Sequence, residues 1–120
     1  MLSETKLAVP AIFILAGSED GCVIERTEDT AVVREIEGGR VCAANHFVGR
    51  EQGWRARPID SAGRLACALA LGDGQDDFSW FAAPIANVNS RLAMTACPKS
   101  GALTLIGTNG TIPVTEIFRA

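Results

Sequence analysis

Ala11-Ile12-Phe13-Ile14-Leu15-Ala16 is a continuous apolar run, opened by Pro10 and closed by Gly17. A short apolar run bounded by turn formers suits a strand. The absence of polar alternation predicts burial on both faces and a central place in a sheet. The turn composition Gly17-Ser18-Glu19-Asp20-Gly21 follows, and Cys22-Val23-Ile24-Glu25-Arg26 reads as a second strand, so the two form a hairpin. A third and a fourth short strand, Thr30-Ala31-Val32-Val33-Arg34-Glu35-Ile36 and Arg40-Val41-Cys42-Ala43-Ala44, are expected on either side of a Glu37-Gly38-Gly39 turn. The first part of the chain is therefore a run of about four antiparallel strands.

Periodicity lapses across residues 45–59, where Gly49, Gly53 and Pro58 interrupt and Arg50, Arg55 and Arg57 gather. A loop of this length is long enough to be functional. Asp60-Ser61 offers an N-cap ahead of Ala62-Gly63-Arg64-Leu65-Ala66-Cys67-Ala68-Leu69-Ala70-Leu71, and Gly72 supplies the stop of a helix. Leu65, Ala68, Leu69 and Gly72 share one face of it, which predicts packing on a sheet. A short second helix is expected around residues 76–83, before Pro84. Three strands close the chain: Ser90-Arg91-Leu92-Ala93-Met94-Thr95-Ala96, Ala102-Leu103-Thr104-Leu105-Ile106-Gly107 and Val114-Thr115-Glu116-Ile117-Phe118. Asn109-Gly110 suggests a type I′ turn, and Pro113, which has no N–H to donate, places the last strand after itself or at an edge. This order predicts a single α+β domain over residues 1–120, with antiparallel sheet or sheets and one or two helices packed on one face.

The composition excludes several partner classes. A net charge of −3 with scattered Lys and Arg gives no basic stripe for a phosphate backbone, so no nucleic acid is expected. The longest uncharged apolar stretch, residues 7–17 with Pro10 inside it, is too short for a membrane span. Glu4 stands where a signal peptide would carry basic residues, and a cytoplasmic location is expected. The 4 cysteines, Cys22, Cys42, Cys67 and Cys97, are widely and irregularly spaced, which favours free buried thiols over disulfides. No Cys-x-x-Cys occurs and His46 is the single histidine, so neither a metal nor a cofactor is expected.

Three segments carry a resemblance: residues 7–17, Gly21-Cys22-Val23-Ile24-Glu25-Arg26, and Ala43-Ala44-Asn45-His46-Phe47. In order and spacing they resemble the N-terminal-nucleophile linear amide C–N hydrolases, the superfamily of acid ceramidases, choloylglycine hydrolases and the acyltransferase of penicillin biosynthesis. Asp60-Ser61-Ala62-Gly63-Arg64 is similar to the family's helix start bearing an arginine, and Arg91-Leu92-Ala93-Met94 with Gly101-Ala102-Leu103 is similar to its closing hairpin. Each motif is weak alone, and together they cover most of the chain. The resemblance implies the C-terminal half of an αββα sandwich. It also implies catalytic roles for Asn45, beside the oxyanion hole, and Arg64, closing the catalytic cluster.

An amide N–H suits an oxyanion and a guanidinium suits the orientation of neighbouring polar groups. Read without the resemblance, Asn45 is a turn former at a strand end, and Arg64 is a helix-surface partner of Asp60. His46 is weaker as a general base, because no Asp or Ser constellation is legible beside it. The family's nucleophile is a cysteine at residue one of the mature chain, whose α-amino group serves as base. This chain begins Met1-Leu2-Ser3-Glu4, and Cys22 lies beyond a whole strand, so the sequence alone is expected to be inactive. Two readings stand. In the first, the chain is the C-terminal lobe of an acyl-amide hydrolase or acyltransferase that requires a nucleophile-bearing partner chain and acts on a small acyl amide. In the second, it is a non-catalytic binding or assembly domain that self-associates as a homo-oligomer. A thiol enzyme built on Cys42 near His46 ranks below both.

Overall fold

The computed structural model describes residues 4–50, 59–72 and 77–120. Its first sheet is an antiparallel meander of β1 (Ala11–Ala16), β2 (Gly21–Arg26) and β3 (Ala31–Glu35), in the order β1-β2-β3. Two tight reversals make it. Gly17 N–H donates to Asp20 O at 2.8 Å, and Thr27 N–H donates to Thr30 O at 2.9 Å.

A three-strand meander puts its second strand in the middle, and this corrects the placement of the apolar run. β1 is an edge strand whose second half faces solvent, with Ile14 62% exposed. The buried strand is the charged one: Val23, Ile24, Glu25 and Arg26 of β2 are all buried. Charges survive there because each has partners. Arg26 donates from Nη2 to the Thr5 carbonyl, and Glu25 is held by the contacts described below. Uniform apolarity predicted central burial, yet chain order decided which strand has neighbours on both sides.

The expected fourth strand does not form. Gly38 and Gly39, both at positive φ (59° and 85°), make the two-residue turn that the glycines promised. The pairing stops at once with the isolated bridge Glu37–Arg40. Beyond it, Arg40 donates from Nη1 to the carbonyls of Leu69 and Leu71 at the end of the helix α1 (Ser61–Ala70). The chain then leaves the sheet, and residues 41–50 have neither strand nor helix.

Asp60 caps α1, its Oδ1 accepting from Gly63 N at 2.9 Å. The helix buries Ser61 and Leu65, one turn apart, whereas Leu69 is 48% exposed. The inward face is thus rotated from the one expected. The second helix is absent from the described part of its span: residues 77–83 form turns, and Asp76 lies outside the described residues. Arg55 and Arg57 of the expected loop also lie outside them.

The second sheet contains β4 (Leu92–Cys97), β5 (Ala102–Asn109), β6 (Ile112–Pro113) and β7 (Phe118–Arg119). β5 pairs with β4 along one side and with β6 and β7 along the other. The final turn is centred on Gly110-Thr111, because Asn109 pairs with Ile112, and Gly110 alone has positive φ (64°), as in a II′ turn. Pro113 sits on the short edge strand. The last strand expected over residues 114–118 does not form: residues 114–117 are irregular, and two short pieces, β6 before them and β7 from Phe118, pair with β5 instead. From Thr108↔Pro113 to Leu105↔Phe118, β5 advances three residues while its partner advances five. The partner side thus carries two extra residues between its pairings, and Thr115 Oγ1 takes the Gly107 N–H at 2.8 Å in place of a ladder carbonyl. The fold is α+β with antiparallel sheets and, among the described residues, one helix. No helix among them is long and apolar enough to cross a membrane. The cysteines are free, as expected, but none is buried: three are half-buried and Cys97 is exposed.

Candidate functional site

The segment leaving the Glu37–Arg40 bridge passes the start of α1, and this juxtaposition builds the site. Asn45 N–H donates to Ser61 Oγ at 2.8 Å, and His46 Nδ1 lies 2.7 Å from the same oxygen. Arg64, one turn further along α1, donates from Nη2 to Asn45 Oδ1 at 2.8 Å and from Nε to the Ile59 carbonyl at 3.0 Å. The two residues implied by the family resemblance therefore meet across a separation of 19 in sequence. The alternative ion pair of Arg64 with Asp60 is not formed, since Asp60 is occupied by the helix cap.

The approach to the helix is strained in the service of this arrangement. Ile59 and Asp60 both have positive φ, 73° and 42°. For β-branched Ile59 that region carries a cost of roughly 1–3 kcal/mol. It points the Ile59 carbonyl at the Arg64 guanidinium. Gly63 completes the geometry, because a Cβ there would lie 2.0 Å from Asp60 Oδ2.

The Asn45–Arg64 pair lies at a groove of about 810 Å³. Val9, Pro10, Ile12 and Ile14 give it an apolar wall, and Asn45, His46 and Arg64 give it a polar one. Arg64 lines the groove and forms no ion pair with a carboxylate among the described residues. A guanidinium only donates, which fixes the Asn45 amide: Oδ1 must face Arg64, leaving the Nδ2 hydrogens free to donate elsewhere. Ser61 is 1% exposed, and its hydroxyl is engaged by Asn45 and His46, so it acts as a tether and not as an accessible nucleophile.

Three participants were not legible as such in the sequence. Asp60-Ser61 together suit an N-cap, but Asp60 alone does the capping and frees the serine for Asn45 and His46. Glu25 and Arg34 were read as ordinary strand residues. Glu25 is opposite Val32 in the β2–β3 register, so Arg34 is its diagonal neighbour on the same sheet face. Their side chains meet at 2.8 Å as a close ion pair, and Glu25 is 0% exposed. The length of the Thr27–Thr30 turn, once known, would have revealed that pairing. No group of three or more metal-ligating side chains occurs among the described residues. No protein-family model, curated protein or solved structure matches the chain.

Proposed function

We propose that this chain is the substrate-side lobe of an acyl-amide C–N hydrolase or acyltransferase whose nucleophile is supplied from outside these residues. The observation that carries the reading is the Asn45–Arg64 hydrogen bond on the polar wall of a groove whose other wall is apolar. Attack on an amide carbonyl moves negative charge onto its oxygen, and a fixed N–H donor lowers that barrier most if it need not reorient during reaction. Arg64 takes the acceptor end of the Asn45 side chain and so presents the donor end. The apolar wall suits the acyl portion of a small acyl amide, and the polar wall suits the scissile group.

A second reading, a self-associating assembly domain, is favoured by the surface. The chain exposes 8226 Å², against about 6,200 Å² for a compact protein of its mass. Its radius of gyration is 15.3 Å, against about 13.6 Å for its length. Ile14, Val33, Leu92, Met94 and Phe118 are among the exposed apolar side chains of the two sheets. Such surface fits a partner lobe or a second copy. Co-expression with the product of an adjacent reading frame that matures to an N-terminal cysteine distinguishes them. Release of free acid from N-acyl amides by the pair supports the first reading. A stable homo-oligomer that excludes the second chain and cleaves nothing overturns it.

A further inference from the structure

We infer that Glu25 and Arg34 are positioning residues for Asn45: together they clamp both ends of the irregular segment that carries it against the face of the first sheet. The inference rests on the reading of Asn45 and Arg64 as the working pair. Residues 42–49 contain no strand or helix, so no ladder fixes where Asn45 stands. Among the described residues, side chains from outside the segment hold its backbone at three places. At one end, Arg34 Nη2 donates to Cys42 O at 2.8 Å. In the middle, Asn45 N–H donates to Ser61 Oγ. At the other end, the Glu25 carboxylate accepts Val48 N–H at 2.9 and 3.0 Å and Gly49 N–H at 2.9 Å.

The two terminal anchors are one unit, because Glu25 and Arg34 contact each other at 2.8 Å. Each compensates the other's burial while spending its remaining polar capacity on the segment. Shape supports the same assignment. Val32, on the same sheet face, lies under Gly49, where an added Cβ would come within 2.5 Å of Val32 Cγ1. The glycine lets the backbone approach closely enough for its N–H to reach Glu25. A buried carboxylate with two backbone N–H partners and an arginine is a directional fixture, and what it fixes is the stretch between Cys42 and Gly49. Asn45, four residues from Gly49 and three from Cys42, can then meet Arg64 without searching.

The test needs no substrate, so it stands apart from the hydrolase reading. In the intact chain, amide hydrogen exchange of Val48 and Gly49 reports the clamp, and exchange of the Arg64 Nη2 hydrogens reports the bond to Asn45 Oδ1. In Glu25→Gln, protection of Val48 and Gly49 falls, and exchange of the Arg64 Nη2 hydrogens rises about tenfold, the factor one hydrogen bond of ordinary net strength supplies. Ile106 of β5, in the other sheet, serves as the reference and is unchanged. Arg34→Lys keeps a charge beside Glu25 but lacks the fork that reaches Cys42 O, and it produces the same rise at Arg64. This milder variant decides the matter if Glu25→Gln does not give a folded spectrum. Loss of protection at Val48 and Gly49 with exchange at Arg64 Nη2 unchanged would show Glu25 to be merely structural. No change at Arg64 in Arg34→Lys overturns the inference as well.

Discussion

Replacing Glu25 with glutamine is the most informative single perturbation of the fold. The substitution preserves shape but removes the charge and exchanges one acceptor oxygen for an NH2. The carboxylate of Glu25 now serves Val48 N–H, Gly49 N–H and the Arg34 guanidinium. A glutamine oxygen in the Oε2 position can still accept from both Val48 and Gly49, but its NH2 then faces the Arg34 guanidinium, donor against donor, which leaves a buried donor unmatched at about 1–3 kcal/mol. Arg34, whose side chain is 21% exposed, also loses its counter-ion, and breaking a buried pair from one side costs about 3–5 kcal/mol. These costs overlap, and partial exposure of Arg34 discounts the second, so a net loss of about 3 kcal/mol is expected. With a urea slope near 2 kcal/mol/M, the midpoint falls by about 1.5 M. The internal comparison is Lys99–Glu19, also 2.8 Å apart but with side chains 70% and 74% exposed. Lys99→Ala should cost less than about 1 kcal/mol. A loss below about 1 kcal/mol in Glu25→Gln would refute the claim that this buried carboxylate anchors the segment.

Gly49→Ala should destabilise by about 1–3 kcal/mol in the same urea assay, and adding Val32→Ala should recover part of the loss by removing the methyl that the new Cβ meets. The Cys97 thiol is held below the ordinary thiol range, first by the Ser100 hydroxyl and backbone and then by the nearby Lys99 charge. Its alkylation rate should therefore climb at lower pH than that of a cysteine in a short unstructured peptide. Ser100→Ala should move that profile upward, and a profile unmoved by the substitution would contradict the cause. Asp77 is held below the ordinary carboxylate value by the Ser79 hydroxyl and N–H, so whatever it adds to stability is present at neutral pH and is lost only as the pH falls through the acid range below about 4. Ser79→Ala should raise the Asp77 titration midpoint seen by carboxyl NMR.

Local signals in the sequence located most elements, and non-local partnership decided the rest. Pro10, Gly17 and the Gly38-Gly39 pair marked strand ends and a turn correctly, because backbone restriction acts on the residue itself. Residues 11–16 are not central, because apolarity records what a strand could bury while topology determines what it does bury. Arg40–Ala44 has strand composition, but Arg40 finds acceptors at the end of α1 and the segment is drawn away from the sheet. At the site, Asn45 and Arg64 came into view through the resemblance, and the structure brings them together. Ser61, Glu25 and Arg34 were invisible in their roles because each depends on a register or a loop path that no short stretch encodes.

The central claim is that Asn45 supplies a held donor to the acyl oxygen, and its most direct test is the turnover of N-acyl amides by the co-expressed pair with and without Asn45→Ala. The account predicts a fall in kcat of about 100- to 1,000-fold with KM little changed, as for loss of one oxyanion donor. Unchanged kcat in Asn45→Ala, in a pair that cleaves the amide, would contradict it.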